Sequence, residues 1–238
     1  MMTTTKRRPS RDAYWAQLDR ALPRFAPEEQ EVAMAIYREL MKGEGVVAAD
    51  LTAALGRDEA QVAELLERPA VAALSYRVEG RIQGFGGLAA REMSHRFRVA
   101  GRLLWTWCAW DSLFLPELLG EVAEVESADP TTGEPVRLRV SPAGVEALER
   151  GSTVVSFVVP DPDVLQTSAE NVMTAFCHFV HFFASPESGQ AWVESRPGTF
   201  LFSLDDATDL ARRLNRRNFG HVLGGVDRER AFNGDGDR

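Results

Sequence analysis

The hydrophobic pattern of this chain changes period along its length, and that change limits the folds open to it. Over residues 11–67 apolar side chains recur at helical spacing, as in Tyr14, Leu18, Ala21 and Leu22, and again in Val32, Ile36 and Leu40. Further on, alternation and turn residues take over, as in LSYRVEGRIQGFGGL and in EVAEVESADPTTGEPVRLRV. Helices first and strands later predict an α+β protein, a mainly antiparallel β-sheet core with helices around it. The 238 residues suffice for one large domain or for a small and a medium one.

Local signals divide the chain further. Arg11–Leu22 reads as a helix that Pro23 ends, and Pro27–Lys42 as a second, with proline in its first turn and Gly43 as its stop. Ala48–Leu55 and Asp58–Glu67 form two short helices around Gly56, like a helix-turn-helix. The hairpin turning at Glu79–Gly80 resembles a wing. Residues 11–90 are therefore expected to form a winged-helix-like helical module, and 91–220 a catalytic α+β core. Strands are expected at His95–Ala100, Arg102–Trp107, Glu121–Ala128, Val136–Val140, Val154–Val159, Phe176–Phe183 and Thr199–Phe202. Helices are expected at Cys108–Leu119, Pro186–Ser195 and Leu204–Phe219, and the polar ends, 1–10 and 221–238, are expected to be disordered tails.

Charge narrows the function classes. A formal net charge of −8 speaks against a general nucleic-acid binder. The helix DEAQVAELLER, where a recognition helix would lie, carries four acidic residues and a single arginine, so it would repel phosphates. No specific nucleic-acid partner is expected. Nor is a membrane partner, since no run of eighteen apolar residues occurs. The basic start MMTTTKRRPSR lacks the apolar stretch of a secretory signal, which leads to the expectation of a cytoplasmic protein.

The chain has two cysteines, Cys108 and Cys177, too few for a disulfide framework or a four-cysteine zinc site. Each could be a small buried hydrophobe. Cys108, however, sits in LLWTWCAWDSLFLPELLG, where a strand gives way to a helix. The helix dipole there would lower a thiol's pKa. Asp111, three residues on, falls on the same helical face. It could serve chemistry or merely cap the helix. Trp105, Trp107 and Trp110 around the thiol could be core, or could wall a dry pocket for an organic group. Cys177 lies in AENVMTAFCHFVHFFAS. On a strand it would share a face with Phe179 and His181, a pattern open to a thiol–histidine pair, a metal site or a structural histidine.

Three blocks in order, WCAWDSLFLP, VESADPTTGEPVRLRVSP and FCHFVHFFAS, resemble the alkylmercury lyase family. The resemblance runs from about Leu103 to Phe219 and more weakly over the N-terminal module. The family's C-A-x-D is met by Cys108, Ala109 and Asp111, and its F-C-x-x-V-H-F-F-A-S by Phe176, Cys177, Val180, His181, Phe182, Phe183, Ala184 and Ser185. The family usually has tyrosine where Trp105 stands, and some relatives carry further cysteines absent here.

The resemblance implies a site of Cys108, Cys177 and Asp111 that splits carbon–mercury bonds by protonolysis, giving a hydrocarbon and Hg(II). Soft mercury favours thiolates, and the departing carbon needs a proton at the moment of cleavage. No cofactor is expected; Hg(II) is held transiently as product by the same three residues. Low-molecular-weight thiols and a mercuric reductase would receive it. Two readings stand beside this one: a non-catalytic soft-metal (mercury or copper) binder, and a metal-sensing regulator.

Overall fold

A computed structural model describes residues 8–149 and 151–233. The chain opens with α1 (Arg11–Ala21), which Ser10 caps by accepting the Ala13 N–H. It continues with α2 (Pro27–Leu40), where the Glu29 carboxylate accepts the Ala26 N–H. Then come α3 (Ala48–Leu55), α4 (Glu59–Leu66) and the single turn α5 (Pro69–Ala72).

The first strands are β1 (Ser75–Val78), β2 (Arg81–Phe85) and β3 (Leu88–Ala89), followed by β4 (His95–Val99), β5 (Arg102–Thr106) and α6 (Asp111–Leu119). A meander follows: β6 (Ala123–Ala128), β7 (Pro135–Ser141) and β8 (Gly144–Leu148). The remainder is β9 (Val154–Val158), α7 (Pro162–Leu165), α8 (Ala169–Ala175), a 3-10 turn at Cys177–Phe179, β10 (Phe182–Phe183), α9 (Pro186–Glu194), β11 (Thr199–Ser203) and α10 (Leu204–Asn233).

Among the described residues the strands form two antiparallel sheets. One is eight-stranded, in the order β1-β2-β3-β5-β4-β6-β7-β8; the other is three-stranded, β10-β9-β11. The hairpin expected as a wing is the edge of the larger sheet, because β3 pairs with β5 through Leu88–Thr106 and Ala89–Trp105. Alternation sorts the faces. On β4, His95, Phe97 and Val99 point inward and Arg96 and Arg98 outward. The outer charges pair across strands, Arg137 with Glu126 and Glu149, and Arg139 with Glu146. The inner face is covered by α6, which α10 braces: Asn215 donates to the Phe114 carbonyl at 2.9 Å and Trp110 Nε1 to the Ala207 carbonyl at 2.9 Å.

Three expectations need correcting. Phe176–Phe183 is not one strand; α8 runs in before it, Cys177–Phe179 is a 3-10 turn, and only Phe182–Phe183 pairs with β9. Ser168 explains the helix, since its hydroxyl accepts the Asn171 N–H as an N-cap. The helix expected from Cys108 begins at Asp111, which leaves Trp107–Trp110 irregular. And α10 runs to Asn233, through most of the 221–238 segment expected to be a disordered tail. Residues 1–7, 150 and 234–238 lie outside the described residues.

Candidate active site

The link from β5 to α6 holds Cys108 by its neighbours' backbone. The Trp107 N–H donates to the Gly87 carbonyl at 2.9 Å, and the Thr106 hydroxyl to the Cys108 carbonyl at 2.8 Å. The Cys108 N–H donates to Asp111 Oδ2 at 2.7 Å. Asp111 thus bonds the backbone as a cap would, but only through one oxygen. On the other side, the 3-10 turn carries Cys177. The Ala109 N–H donates to the Val180 carbonyl at 3.2 Å and ties the two cysteine segments together. The result brings the three expected residues into one place: ligand atoms of Cys108, Asp111 and Cys177 all lie within 4.8 Å of one another. Among the described residues no other group of three His, Cys, Asp or Glu does so.

The trio is enclosed. Cys108 is 0%, Cys177 5% and Asp111 6% exposed. A cavity of about 60 Å³ adjoins it, walled by Phe25, Trp107, Trp110, Phe114, Phe176 and Phe219, with Asp111 and Cys177 in its wall. Of the three tryptophans expected around the thiol, Trp105 is not there; it lies half-buried on β5 opposite Arg96 and Ala89. The strand's alternation turns it away, and the polar role of a tyrosine at that position loses its setting.

Burial sets the proton inventory. It pushes the Cys108 thiol well above its ordinary value, with the Cys177 thiol and the Asp111 carboxyl adding to the rise. The helix N-terminus expected to lower the Cys108 pKa does not form at the thiol, because the helix begins at Asp111 and the thiol is fully buried ahead of it. Cys177 is pulled down by its interaction with the Cys108 thiol, but burial and Asp111 together leave it raised. Burial lifts Asp111 from 3.8 to about 7, against the pull of the Cys108 N–H and thiol. A carboxyl there can take and return a proton near neutrality.

The histidines stand outside. His178 is exposed, and His181 Nε2 lies 2.8 Å from the His178 carbonyl, with its ring against Trp192. A thiol–histidine pair does not form, and the structural reading of His181 fits.

Several residues of the site were not legible in the motifs. Tyr37 of α2 lines the cavity and donates its hydroxyl to the Gly86 carbonyl at 2.9 Å. Burial and then Asp111 hold its phenol far above the ordinary value, so it stays a donor. Gly86 and Gly87, also in the wall, have φ of 44° and 99°. Their signal was present: adjacent glycines in GFGG interrupt a strand pattern, a mark of close backbone approach. The α1–α2 link closes the cavity with Leu22, Pro23 and Phe25. Arg217 of α10 fastens that link, donating to the Leu22 and Pro23 carbonyls at 3.0 and 2.9 Å.

Comparison with known proteins identifies the family. The alkylmercury lyase family model matches residues 88–216. An alkylmercury lyase of Pseudomonas putida is 39% identical over 189 residues, covering 79% of this chain and 85% of that protein. One from Bacillus cereus is 34% identical over 186 residues, covering 76% and 81%. A crystal structure described as the mercury-bound form of MerB2 superposes with a TM-score of 0.66 at 23% identity, over 87% of this chain and 97% of that one. The structural likeness speaks for the fold; the family match over more than half the chain and the sequence identities over three quarters of it speak for descent. The chain belongs to the alkylmercury lyase family.

Proposed function

We propose that this organomercurial lyase cleaves the carbon–mercury bond with Cys177, Cys108 and Asp111 in distinct roles. The observation that carries the assignment is the gathering of two thiols and a buried carboxyl within 4.8 Å beside an aromatic-walled cavity. Cys177, in the cavity wall, attacks the mercury of R–Hg–X, and its thiol proton departs with the leaving group as HX. Cys108 passes its proton to Asp111 and binds mercury as a second thiolate. Two thiolates raise electron density on mercury and weaken its bond to carbon. The electron pair of that bond leaves with carbon and takes the proton from Asp111. Hydrocarbon departs, and Hg(II) stays on the two sulfurs with an Asp111 oxygen in reach. No cofactor enters the sequence of steps.

A bare metal carrier needs the thiols but not the acid. The deciding experiment mixes the protein with one equivalent of a phenylmercury salt and measures bound mercury and free benzene separately. Stoichiometric benzene supports the lyase reading; retained phenylmercury would leave a binder.

The N-terminal residues 11–90 we read as a winged-helix-like module that serves packing and cavity closure rather than DNA. α3, α4 and the β1–β2 hairpin follow that order. The basic residues beside α4 are engaged, Arg57 and Arg68 with Glu28 and Arg77 with Glu67. A sequence-specific DNA complex tighter than about micromolar at physiological salt would overturn this. The setting we infer is the cytoplasm, where thiols stay reduced, small thiols extract Hg(II), and a mercuric reductase consumes it. Among the described residues no helix is long and apolar enough to cross a membrane.

A further inference from the structure

We propose that Tyr37 and the Gly86–Gly87 turn are positioning residues that hold the Asp111 carboxyl in the orientation from which it delivers its proton. The inference rests on the reading of Asp111 as the proton relay.

The turn joins β2 to β3 and lies directly against the carboxyl. A Cβ built on Gly87 would stand 2.6 Å from Asp111 Cγ and 2.8 Å from Oδ1, closer than real Cβ atoms come. The opposite oxygen, Oδ2, accepts the Cys108 N–H at 2.7 Å. The carboxyl is therefore confined between a backbone donor and a bare glycine Cα. Conformation alone does not require this intimacy. Gly80, in the β1–β2 turn, has a comparable φ of +76°, yet nothing lies within 4 Å of a Cβ placed there.

The turn is itself held from three sides. Gly86 N–H donates to the Leu74 carbonyl at 3.0 Å, and the Gly87 carbonyl accepts from Trp107 N–H at 2.9 Å. From α2, the Tyr37 hydroxyl donates to the Gly86 carbonyl at 2.9 Å, and a Cβ on Gly86 would stand 2.4 Å from that hydroxyl oxygen. Only glycine lets the phenol in. A linked series thus runs from α2 through Tyr37, Gly86 and Gly87 to Asp111. Proton delivery to carbon depends on such placement, and a misplacement of about 1 Å can cost on the order of a hundredfold in rate.

The test compares Gly87→Ala, Gly80→Ala and Tyr37→Phe in single turnovers with a phenylmercury salt, reading mercury capture and benzene release separately. Gly80→Ala carries the φ penalty without the contact. Gly87→Ala is expected to capture mercury fully and to release benzene roughly a hundredfold more slowly than Gly80→Ala. Tyr37→Phe keeps the ring and removes one hydrogen bond; benzene release should fall about tenfold with capture unchanged. Gly87→Ala releasing benzene as fast as Gly80→Ala would overturn the inference. So would Tyr37→Phe with wild-type release, or with capture and release reduced alike. If Gly87→Ala does not fold, Tyr37→Phe decides. Asp111→Ala run alongside separates the two ideas. Wild-type release by that variant removes the relay reading itself, whereas an inactive Asp111→Ala beside a fast Gly87→Ala removes only the positioning.

Discussion

The two cysteine segments face one another across the site and are built differently. Cys108 sits in an irregular link whose every turn is fixed: Thr106 holds its carbonyl, Asp111 its N–H, and Val180 its neighbour's N–H. It is wholly buried and stands behind the cavity wall. Cys177 occupies a single 3-10 turn between α8 and β10, and its side chain forms part of the wall itself. In the proposed reaction the first segment would supply a proton to its neighbouring acid, and the second would present its thiol to the entering substrate. Two cysteines of the same chemistry thus differ in backbone setting and in their position relative to the cavity.

The largest effects should come from deleting either thiol. Cys108→Ala and Cys177→Ala are each expected to abolish hydrocarbon release. They should differ in capture: Cys108→Ala still takes phenylmercury onto Cys177, whereas Cys177→Ala takes it up slowly, since Cys177 lines the cavity and Cys108 lies behind it. Stopped-flow quenching of the site tryptophans, with mercury retained after gel filtration, reads the difference. Equal capture rates would make the two thiols equivalent and dissolve the contrast.

Asp111 should come next. Asp111→Ala is expected to retain mercury while hydrocarbon release falls about a hundred- to ten-thousand-fold, the range for a lost general acid–base group. A mere cap would cost only about 1 kcal/mol of stability and leave release intact. Asp111→Ser is the companion, since serine can accept the Cys108 N–H but is no acid near neutrality. Restored stability without restored release puts the carboxyl in the chemistry.

A smaller effect concerns stability. Burial raises the Asp111 carboxyl to about 7 in the folded protein, against 3.8 ordinarily. The folded state therefore binds this proton more tightly than the unfolded chain. Its contribution is fully present below the unfolded value and is lost as pH rises to about 7. Asp111→Asn has no charge to bury. Its stability gain over wild type should grow from pH 4 to pH 7 and then level off, with a ceiling on the order of 4 kcal/mol from the one-unit conversion. Urea midpoints of both proteins at pH 4, 5.5, 7 and 8.5 check this. A gain that is the same at every pH would mean that Asp111 titrates normally when folded.

The same contrast shows how much could be read in advance. WCAWD was legible because the strand-to-helix change and the three-residue spacing are local signals, and the structure keeps Cys108 and Asp111 together. The Cys177 segment was misread as a strand. Its aromatic, β-branched run has strand propensity, but the Ser168 cap and the tertiary bond from Ala109 N–H to the Val180 carbonyl select a helix and a tight turn instead. The antiparallel meander β6–β7 was plain from alternation. That β3 would join β5, or that Tyr37 would reach Gly86, depends on contacts between residues far apart in sequence. No local pattern encodes them; only the paired glycines hinted that something comes close.

The smallest expected effect belongs to His181, which the strand reading had set beside Cys177. Burial, opposed by the hydrogen bond to the His178 carbonyl, lowers its pKa, so the imidazole is neutral at neutral pH. Its Nε2 lies 2.8 Å from that carbonyl, where it acts as donor, and its ring packs on Trp192 at 5.3 Å. These contacts occupy it in bracing the segment after the 3-10 turn. His181→Ala should therefore cost about 1 kcal/mol for the lost hydrogen bond and leave benzene release at the wild-type rate. Because the neutral folded form is preferred, that cost should shrink as pH falls through the unfolded value near 6.5, where the unfolded wild-type chain gains a proton the folded one resists. Thermal melts at pH 5 and pH 8 alongside single-turnover benzene release separate bracing from chemistry. A release rate a hundredfold down in folded protein would be the signature of a lost acid–base group. It would mean that the Cys177 side of the site carries a proton relay of its own, and the division of labour between the two cysteine segments would have to be redrawn.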